Sequence, residues 1–230
     1  MTEAPVICVD GPSGAGKGTL STRLAEALGW HLLDSGALYR IVGHACVLRG
    51  ISWQDEARVV EVAETLDVQF VPSPSGVAVW LGGKDVTPQI RSQGGSRGAS
   101  AVAVLEKVRV ALLNRQRTLA TLPGLVADGR DMGTVVFPDA ALKIFLTASP
   151  QARARRRQAQ LLEKGESVSL PRLLQSINER DERDTNRSAS PLVAAEDAVH
   201  IDSSTLSIDA VCNRVFELAA GKGIKVRSPN

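Results

Sequence analysis

Ile7-Cys8-Val9-Asp10-Gly11-Pro12-Ser13-Gly14-Ala15-Gly16-Lys17-Gly18-Thr19 is the stretch whose reading decides the fold. A β-rich apolar run, Pro5 to Asp10, ends in a glycine-rich loop, and a helix-forming segment follows from about Lys17 to Leu28. Glycines let a chain wrap closely, so that successive N–H groups can point inward at phosphate oxygens. The helix N-terminus adds a favourable dipole, and a lysine at this point of the loop can reach the outer phosphates of a bound polyphosphate. The plainer alternative is an ordinary glycine turn, but strand, loop, lysine and helix in this order form the setting the phosphate cradle requires. Gly18 stands where Ser or Thr more often follows the lysine to hold Mg²⁺, and Thr19 comes one residue later.

Outward from the loop, short apolar runs alternate with helical segments, the pattern of a parallel sheet with helices on both faces. Trp30–Leu33 reads as a second strand, and Ser35 is placed to cap a helix that runs through Leu38, Ile41, Val42 and Ala45. Leu66 to Val86 breaks the rhythm. Val68 and Phe70 alternate with polar residues, Pro72 to Gly76 reads as a turn, and Val77, Val79 and Leu81 alternate again, predicting an antiparallel hairpin or small sheet. One long helix is expected over Ser96 to Leu119, then strands at Leu125–Ala127 and Leu142–Leu146. Two charged helices divided by Gly165, a strand at Val199–Ile201 and a closing helix from Ser207 complete the chain, with the tail from Gly221 to Asn230 expected to fray. About five parallel strands result, with Asp10 and Asp128 at carboxyl ends, where ligands of such sheets gather.

Composition excludes several classes. At 230 residues, 43% apolar and 23% charged, the chain suits one large domain, or a core with inserts. No apolar run reaches the roughly 18 residues of a spanning helix. The N-terminal MTEAPVICVD lacks the basic start of a signal peptide. The three cysteines lack CxxC or Cys/His ligand spacing, and His31, His44 and His200 share no metal spacing. A cytoplasmic protein without disulfides, structural zinc or membrane attachment is expected. A net charge of +2 is compatible with a phosphate cleft, whereas a general nucleic-acid binder is more often strongly basic. Asn/Thr-Lys-x-Asp and D-x-x-G strings, expected of a nucleotide switch, are absent.

Moving a phosphoryl group between two anions needs several arginines outside the loop, preferably in fork geometry. Asp34-Ser35-Gly36-Ala37-Leu38-Tyr39-Arg40 puts Arg40 early in a helix, and Asp128-Gly129-Arg130-Asp131 follows an apolar strand. Arg180, Arg183, Asp184 and Arg187 share one helical face. On charge pattern alone that face reads as solvated and salt-bridged; the glycine loop shifts it toward a lid. Arg153, Arg155, Arg156 and Arg157 form a second basic run without interleaved aromatics, which leaves base stacking unsupported; it is read as one side of a lid hinged near Gly165. Trp53 and Trp80 are read as packing residues.

Together IxxDGPSGAGKGT (Ile7–Thr19), LLDSGALYR (Leu32–Arg40), VRxALLxRQR (Val108–Arg117), LPGLVADGRDMGTVVFPDA (Leu122–Ala140) and RDxRDxxR (Arg180–Arg187) resemble bacterial cytidylate kinases over nearly the whole length. The resemblance implies a P-loop kinase, a three-layer α/β fold with a parallel sheet of about five strands. It implies one nucleoside monophosphate kinase domain over 1–230, with a monophosphate-binding region at about 35–120, its β insert at about 66–91, and a short lid at about 150–168. By the same resemblance Gly11, Pro12, Ser13, Gly14, Ala15, Gly16, Lys17, Gly18, Thr19 and Arg157 would bind ATP. Ser35, Arg40, Arg130 and Arg187 would hold the phosphate of CMP or dCMP, Ser100, Arg109 and Asp131 would face the base, Arg180 and Asp184 would reach the ribose, and Asp34 would belong to the same CMP site. Lys17, Asp128, Arg130 and Arg180 would carry the catalysis. Mg²⁺ is expected through ATP and water, with Thr19 and Asp128 the nearest protein groups and no direct ligand assigned. ATP and CMP or dCMP are the expected partners of a monomer, with no nucleic acid or membrane.

The base chemistry agrees with that set. Cytosine offers an amine donor beside N3 and O2 acceptors, matched by a carboxylate (Asp131) and by donors from Arg109 and Ser100. Uracil would set a carbonyl against the carboxylate, and each such mispairing costs about 1–3 kcal/mol.

Overall fold

The computed structural model describes residues 4–73, 76–163 and 165–225. The chain forms two compact units: residues up to Leu33 with Arg117 onward, and Asp34–Gln116.

In the first unit a parallel five-stranded sheet has the order β2-β6-β1-β7-β8, built from β1 (Val6–Asp10), β2 (His31–Asp34), β6 (Leu125–Gly129), β7 (Leu142–Thr147) and β8 (Val199–Asp202). All five residues of β1 are buried, an apolar run of four ending in Asp10, as in a strand covered on both faces. β1 sits centrally, with Val9 opposite Asp128 and Asp10 opposite both Gly129 and Phe145, so these carboxylates end at the same edge of the sheet. Against one face pack α1 (Lys17–Leu28) and α9 (Ile208–Gly221): Leu20, Leu24 and Leu28 of α1 and Val211 and Val215 of α9 share a core with Ile7, Val9, Ile144 and Leu146. Spacings of four place these residues on one stripe of each helix. α7 (Pro150–Glu163) and α8 (Leu170–Asn186) are the two charged helices on either side of Gly165. Between β6 and β7 the chain makes a short π-helical turn, Met132–Val136, absent from the sequence reading.

The second unit opens with α2 (Ser35–Leu48). Its cap is Asp34, whose Oδ1 accepts the Ala37 N–H at 2.9 Å, and Ser35 is already inside the helix; the aspartate precedes it and competes successfully for the free donor. α3 (Glu56–Glu64) follows, then the antiparallel sheet β3 (Val68–Ser73), β4 (Gly76–Leu81) and β5 (Lys84–Asp85). Within the expected turn, residues 74 and 75 lie outside the described residues, as do 226–230 of the expected frayed tail. A single helix over Ser96–Leu119 does not form. After α4 (Thr87–Ile90), α5 (Gln93–Val102) and α6 (Glu106–Arg117) are separated by Ala103–Leu105. α5 meets α2 backbone to backbone: a Cβ on Gly43 would fall 2.8–2.9 Å from Gly98, so α2 has no room for a side chain there, and one on Gly98 would crowd Trp53 at 3.2 Å. Trp53 packs at this seam, its indole N–H donating to Gly43 O at 2.9 Å.

Candidate active site

The glycine loop occupies the carboxyl edge of the five-stranded sheet and passes directly into α1. Gly14 and Gly16 have left-handed backbones (φ 82° and 101°), and a Cβ on Gly11 would stand 2.0 Å from Leu146 O of β7. The loop can therefore lie on the strand ends only with glycine at its start. Lys17 is buried (7% exposed); its ammonium donates to Pro12 O at 3.0 Å and stands 3.9 Å from Asp128 Oδ1. Burial lowers its pKa to about 8, a shift that Asp128 opposes and Arg130 and Arg180 reinforce. Thr19 is exposed in the first turn of α1.

Two more cations of this unit, Arg130 and Arg180, meet at one acid, Asp184. Arg130 Nε donates to Asp184 Oδ2 at 2.5 Å, and Arg180 Nε lies 4.0 Å from the same oxygen. Arg180 Nη1 also donates to Ser13 Oγ at 3.1 Å, which ties α8 to the glycine loop. Arg187 ends α8 and donates to Ser190 O. Asp131 is 4% exposed at the entrance of the π-helical turn.

The run on α7 behaves differently. Arg153 (2% exposed) donates to Ala148 O and Ser13 O and forms a two-pronged ion pair with Asp181. Arg156 donates to Ala15 O and to the backbone oxygen and hydroxyl of Ser203, while that hydroxyl's one proton lies within reach of two acceptors, Ala15 O (3.0 Å) and Thr147 O (2.9 Å). Both arginines thus hold the glycine loop through its carbonyl oxygens, Ser13 O and Ala15 O. Neither role is visible in the spacing of the run, because the partners are backbone oxygens distant in sequence. Arg157, expected at ATP, has its guanidinium 3.5 Å from Gln160 of the same helix.

Asp10, the residue before the loop, accepts the Met132 and Gly133 N–H groups at 2.9 and 2.8 Å. Burial raises its pKa to about 6, the two backbone donors opposing the shift and Asp131 adding to it.

In the second unit Asp34 pairs with Arg40 (3.3 Å), and Ser35 is buried. Ser100 donates to Ser96 O within α5. Arg109 is 8% exposed, donates to Ala103 O at 3.2 Å, and lies 5.4 Å over the Tyr39 ring, a cation–π contact that fixes its guanidinium. Tyr39 lay within the quoted LLDSGALYR string, yet nothing in the sequence marks it as the partner of a residue so far along the chain.

Among the described residues no three His, Cys, Asp or Glu side chains form a metal cage. The carboxylate of Asp128 and the hydroxyl of Thr19 at the loop fit Mg²⁺ as it is usually bound, through one or two carboxylates and the phosphates of its nucleotide.

A glycine loop at the carboxyl edge of a parallel sheet, its lysine beside a strand-end aspartate and two arginines held by one acid nearby, is the architecture of a P-loop kinase. A family model described as "Cytidylate kinase" matches residues 7–221. The chain is 56% identical to the cytidylate kinase of Proteus mirabilis over 94% of its length and 96% of the relative. It is 54% identical to that of Escherichia coli K12, over 95% and 96%. The chain belongs to the cytidylate kinase family. An uncharacterized protein of Eubacterium ventriosum shares the fold at a TM-score of 0.52 and 11% identity, covering 95% of this chain and 99% of that one. Among the described residues no helix is long and apolar enough to cross a membrane, and Cys8, Cys46 and Cys212 are buried free thiols.

Proposed function

We infer that this chain transfers the γ-phosphoryl group of ATP to CMP or dCMP, giving CDP or dCDP and ADP, in pyrimidine nucleotide metabolism. The observation that carries this reading is 54–56% identity to cytidylate kinases over nearly the whole chain. The acceptor's phosphate oxygen, already anionic, attacks the γ-phosphorus while the bond to the β-phosphate oxygen breaks and ADP departs. No strong base is required, and catalysis rests on positioning and charge stabilisation.

In this reading the N–H groups of Gly11–Thr19 cradle the ATP phosphates, and Lys17 reaches the β- and γ-oxygens. Arg130 and Arg180 follow the transferring group, with Asp184 holding both guanidiniums and reaching the ribose. Ser35, Arg40, Arg130 and Arg187 hold the acceptor phosphate, with Asp34 in the same CMP site; Asp131, Arg109 and Ser100 read the cytosine edge; Arg157 binds ATP. Mg²⁺ bound with the nucleotide would neutralise the β- and γ-oxygens; Asp128 and Thr19 would hold its water. The lid, about 150–168, excludes water that would otherwise take the phosphoryl group. The reading takes the enzyme as a cytoplasmic monomer without a nucleic-acid partner.

The test is ADP formation from Mg·ATP with CMP, dCMP, UMP, AMP and shikimate in parallel, with Lys17→Ala as control. Turnover with CMP and dCMP, lost in the variant, is the expected result. Turnover confined to another acceptor keeps the P-loop chemistry and discards the base-reading residues. Absence of turnover with every acceptor would overturn the enzyme reading.

A further inference from the structure

Asp10 stands where two functions meet. It ends β1 and directly precedes the P-loop, yet each of its carboxylate oxygens is taken by a backbone N–H of the turn after Asp131, Met132 at 2.9 Å and Gly133 at 2.8 Å. Asp131 itself closes that turn, its carbonyl accepting the Val135 and Val136 N–H groups at 2.9 and 3.2 Å. The peptide on the C-terminal side of Asp131 is thus held at its carbonyl by its own turn and at its N–H by Asp10. Two further contacts hold the same turn. At its far end Arg117 donates from Nε to Val136 O (2.9 Å) and from Nη2 to Val135 O (3.0 Å). Beneath it the aliphatic stem of Lys143 lies so close that a Cβ on Gly133 would come within 3.1 Å of Lys143 Cδ and 3.4 Å of Asp10 Oδ2.

A carboxylate that is 5% exposed is costly to keep charged, and burial raises this one toward neutrality. Such a group is an inefficient way to build stability alone. What it provides is a fixed distance between β1 and the residue in front of the turn. A hydrogen bond discriminates between bases only if the acceptor is held to within about 0.5 Å of its productive position. We propose that Asp10 is a positioning residue for acceptor-base selectivity: through the Met132 and Gly133 N–H groups it holds Asp131 in place to accept the exocyclic amine of cytosine. The inference rests on the reading that Asp131 contacts the acceptor base. The same anchor fixes the start of the P-loop and the acceptor turn in one frame.

The test compares kcat/KM for CMP and for UMP, with the KM of ATP, in the full chain and in Asp10→Asn, Arg117→Gln and Asp131→Asn. Asparagine at position 10 keeps one acceptor oxygen but turns an NH₂ donor toward the second backbone N–H, so the turn loses one anchor. Asp10→Asn is expected to reduce the CMP-to-UMP ratio about tenfold, through the KM of CMP, with the KM of ATP changed less than about twofold. Arg117→Gln, acting at the other end, is expected to shift the ratio in the same direction by a smaller factor. If Asp10 serves only stability, both acceptors lose activity in parallel and the ratio holds, which overturns the inference. If Asp131→Asn leaves the ratio unchanged, the base-reading assignment fails and takes the inference with it. If Asp131→Asn collapses the ratio while Asp10→Asn and Arg117→Gln preserve it, the inference alone fails. Should Asp10→Asn not fold, as judged by its thermal melt, Arg117→Gln decides: an unchanged ratio is again an overturning result.

Discussion

α7 and α8 carry the two arginine runs of the chain, and as strings of charge they look interchangeable. Their partners differ. Arg153 and Arg156 of α7 each donate to two carbonyl oxygens of the P-loop and its surroundings (Ala148 and Ser13, Ala15 and Ser203), in addition to the Asp181 ion pair of Arg153 and the Ser203 hydroxyl at Arg156. Arg180 of α8 reaches the hydroxyl of Ser13 and shares Asp184 with Arg130. A carbonyl oxygen is a permanent partner, and an arginine bound to several of them is a structural strut. A guanidinium kept beside a half-buried acid and a hydroxyl can exchange those partners for a phosphate at modest cost. The number of P-loop and neighbouring carbonyl oxygens held, more than the density of positive charge, marks Arg153 and Arg156 as the brace, whereas Arg180 meets the loop at the Ser13 hydroxyl and is the one proposed to meet ligand.

The comparison breaks first, and with the largest effect, at Arg153. Replacing it with alanine leaves Asp181 without its buried partner and removes the support of Ser13, so stability should fall by about 3–5 kcal/mol. A melting temperature lower by about 10 °C would register it. If Arg153→Ala melts like the parent but loses activity, α7 belongs with α8. Arg180→Ala should do the opposite: kcat/KM falls about 10²- to 10³-fold with little change in melting. Ser203→Ala removes a buried hydroxyl (3% exposed) that bridges Ala15 O, Thr147 O and Arg156, and should cost about 1–3 kcal/mol in chemical denaturation.

The ligand side has a pH signature that the brace lacks. Lys17 titrates near 8 in the free protein, and phosphates favour its charged form, so nucleotide binding takes up a proton once the pH exceeds that value. Affinity for a non-hydrolysable ATP analogue should be level below about pH 8 and then weaken, by at most about tenfold per unit, in calorimetry up to pH 9.5. Lys17→Arg should flatten the profile. The smallest effect belongs to Arg155, exposed on α7 between the two struts: Arg155→Ala should change stability by less than about 0.5 kcal/mol.

Much of the first unit was legible because local rules and the final structure agree. Lys17–Leu28 forms the helix expected between a left-handed glycine and an apolar stripe, and strands stand where short apolar runs end in aspartate. Ser96–Leu119 misled because AVAVLEK contains neither glycine nor proline; the break at Ala103–Leu105 has no local breaker. α3 had a signal that the reading passed over, Asp55 capping Arg58 N–H ahead of Val59, Val62 and Ala63. The π-helical turn had none, since its anchors are Asp10, 122 residues away in the case of Met132, and Arg117. In the site, loop and arginine clusters could be named from motifs, but which arginines brace the loop depends on backbone oxygens that no spacing reveals.

The glycine-to-glycine seam of α2 and α5 bears on redesign. α2 carries Arg40 and α5 carries Ser100, the first read as a phosphate contact and the second as a base contact. Because Gly43 and Gly98 touch with no side chain between them, the two helices have no spacer that can be lengthened or trimmed. Enlarging the acceptor pocket for a bulkier base by exchanging contact residues would leave this gauge untouched. An alanine at position 43 would reset it, pushing Ser100 away from Arg40 as a rigid pair of rods is pushed apart by a shim.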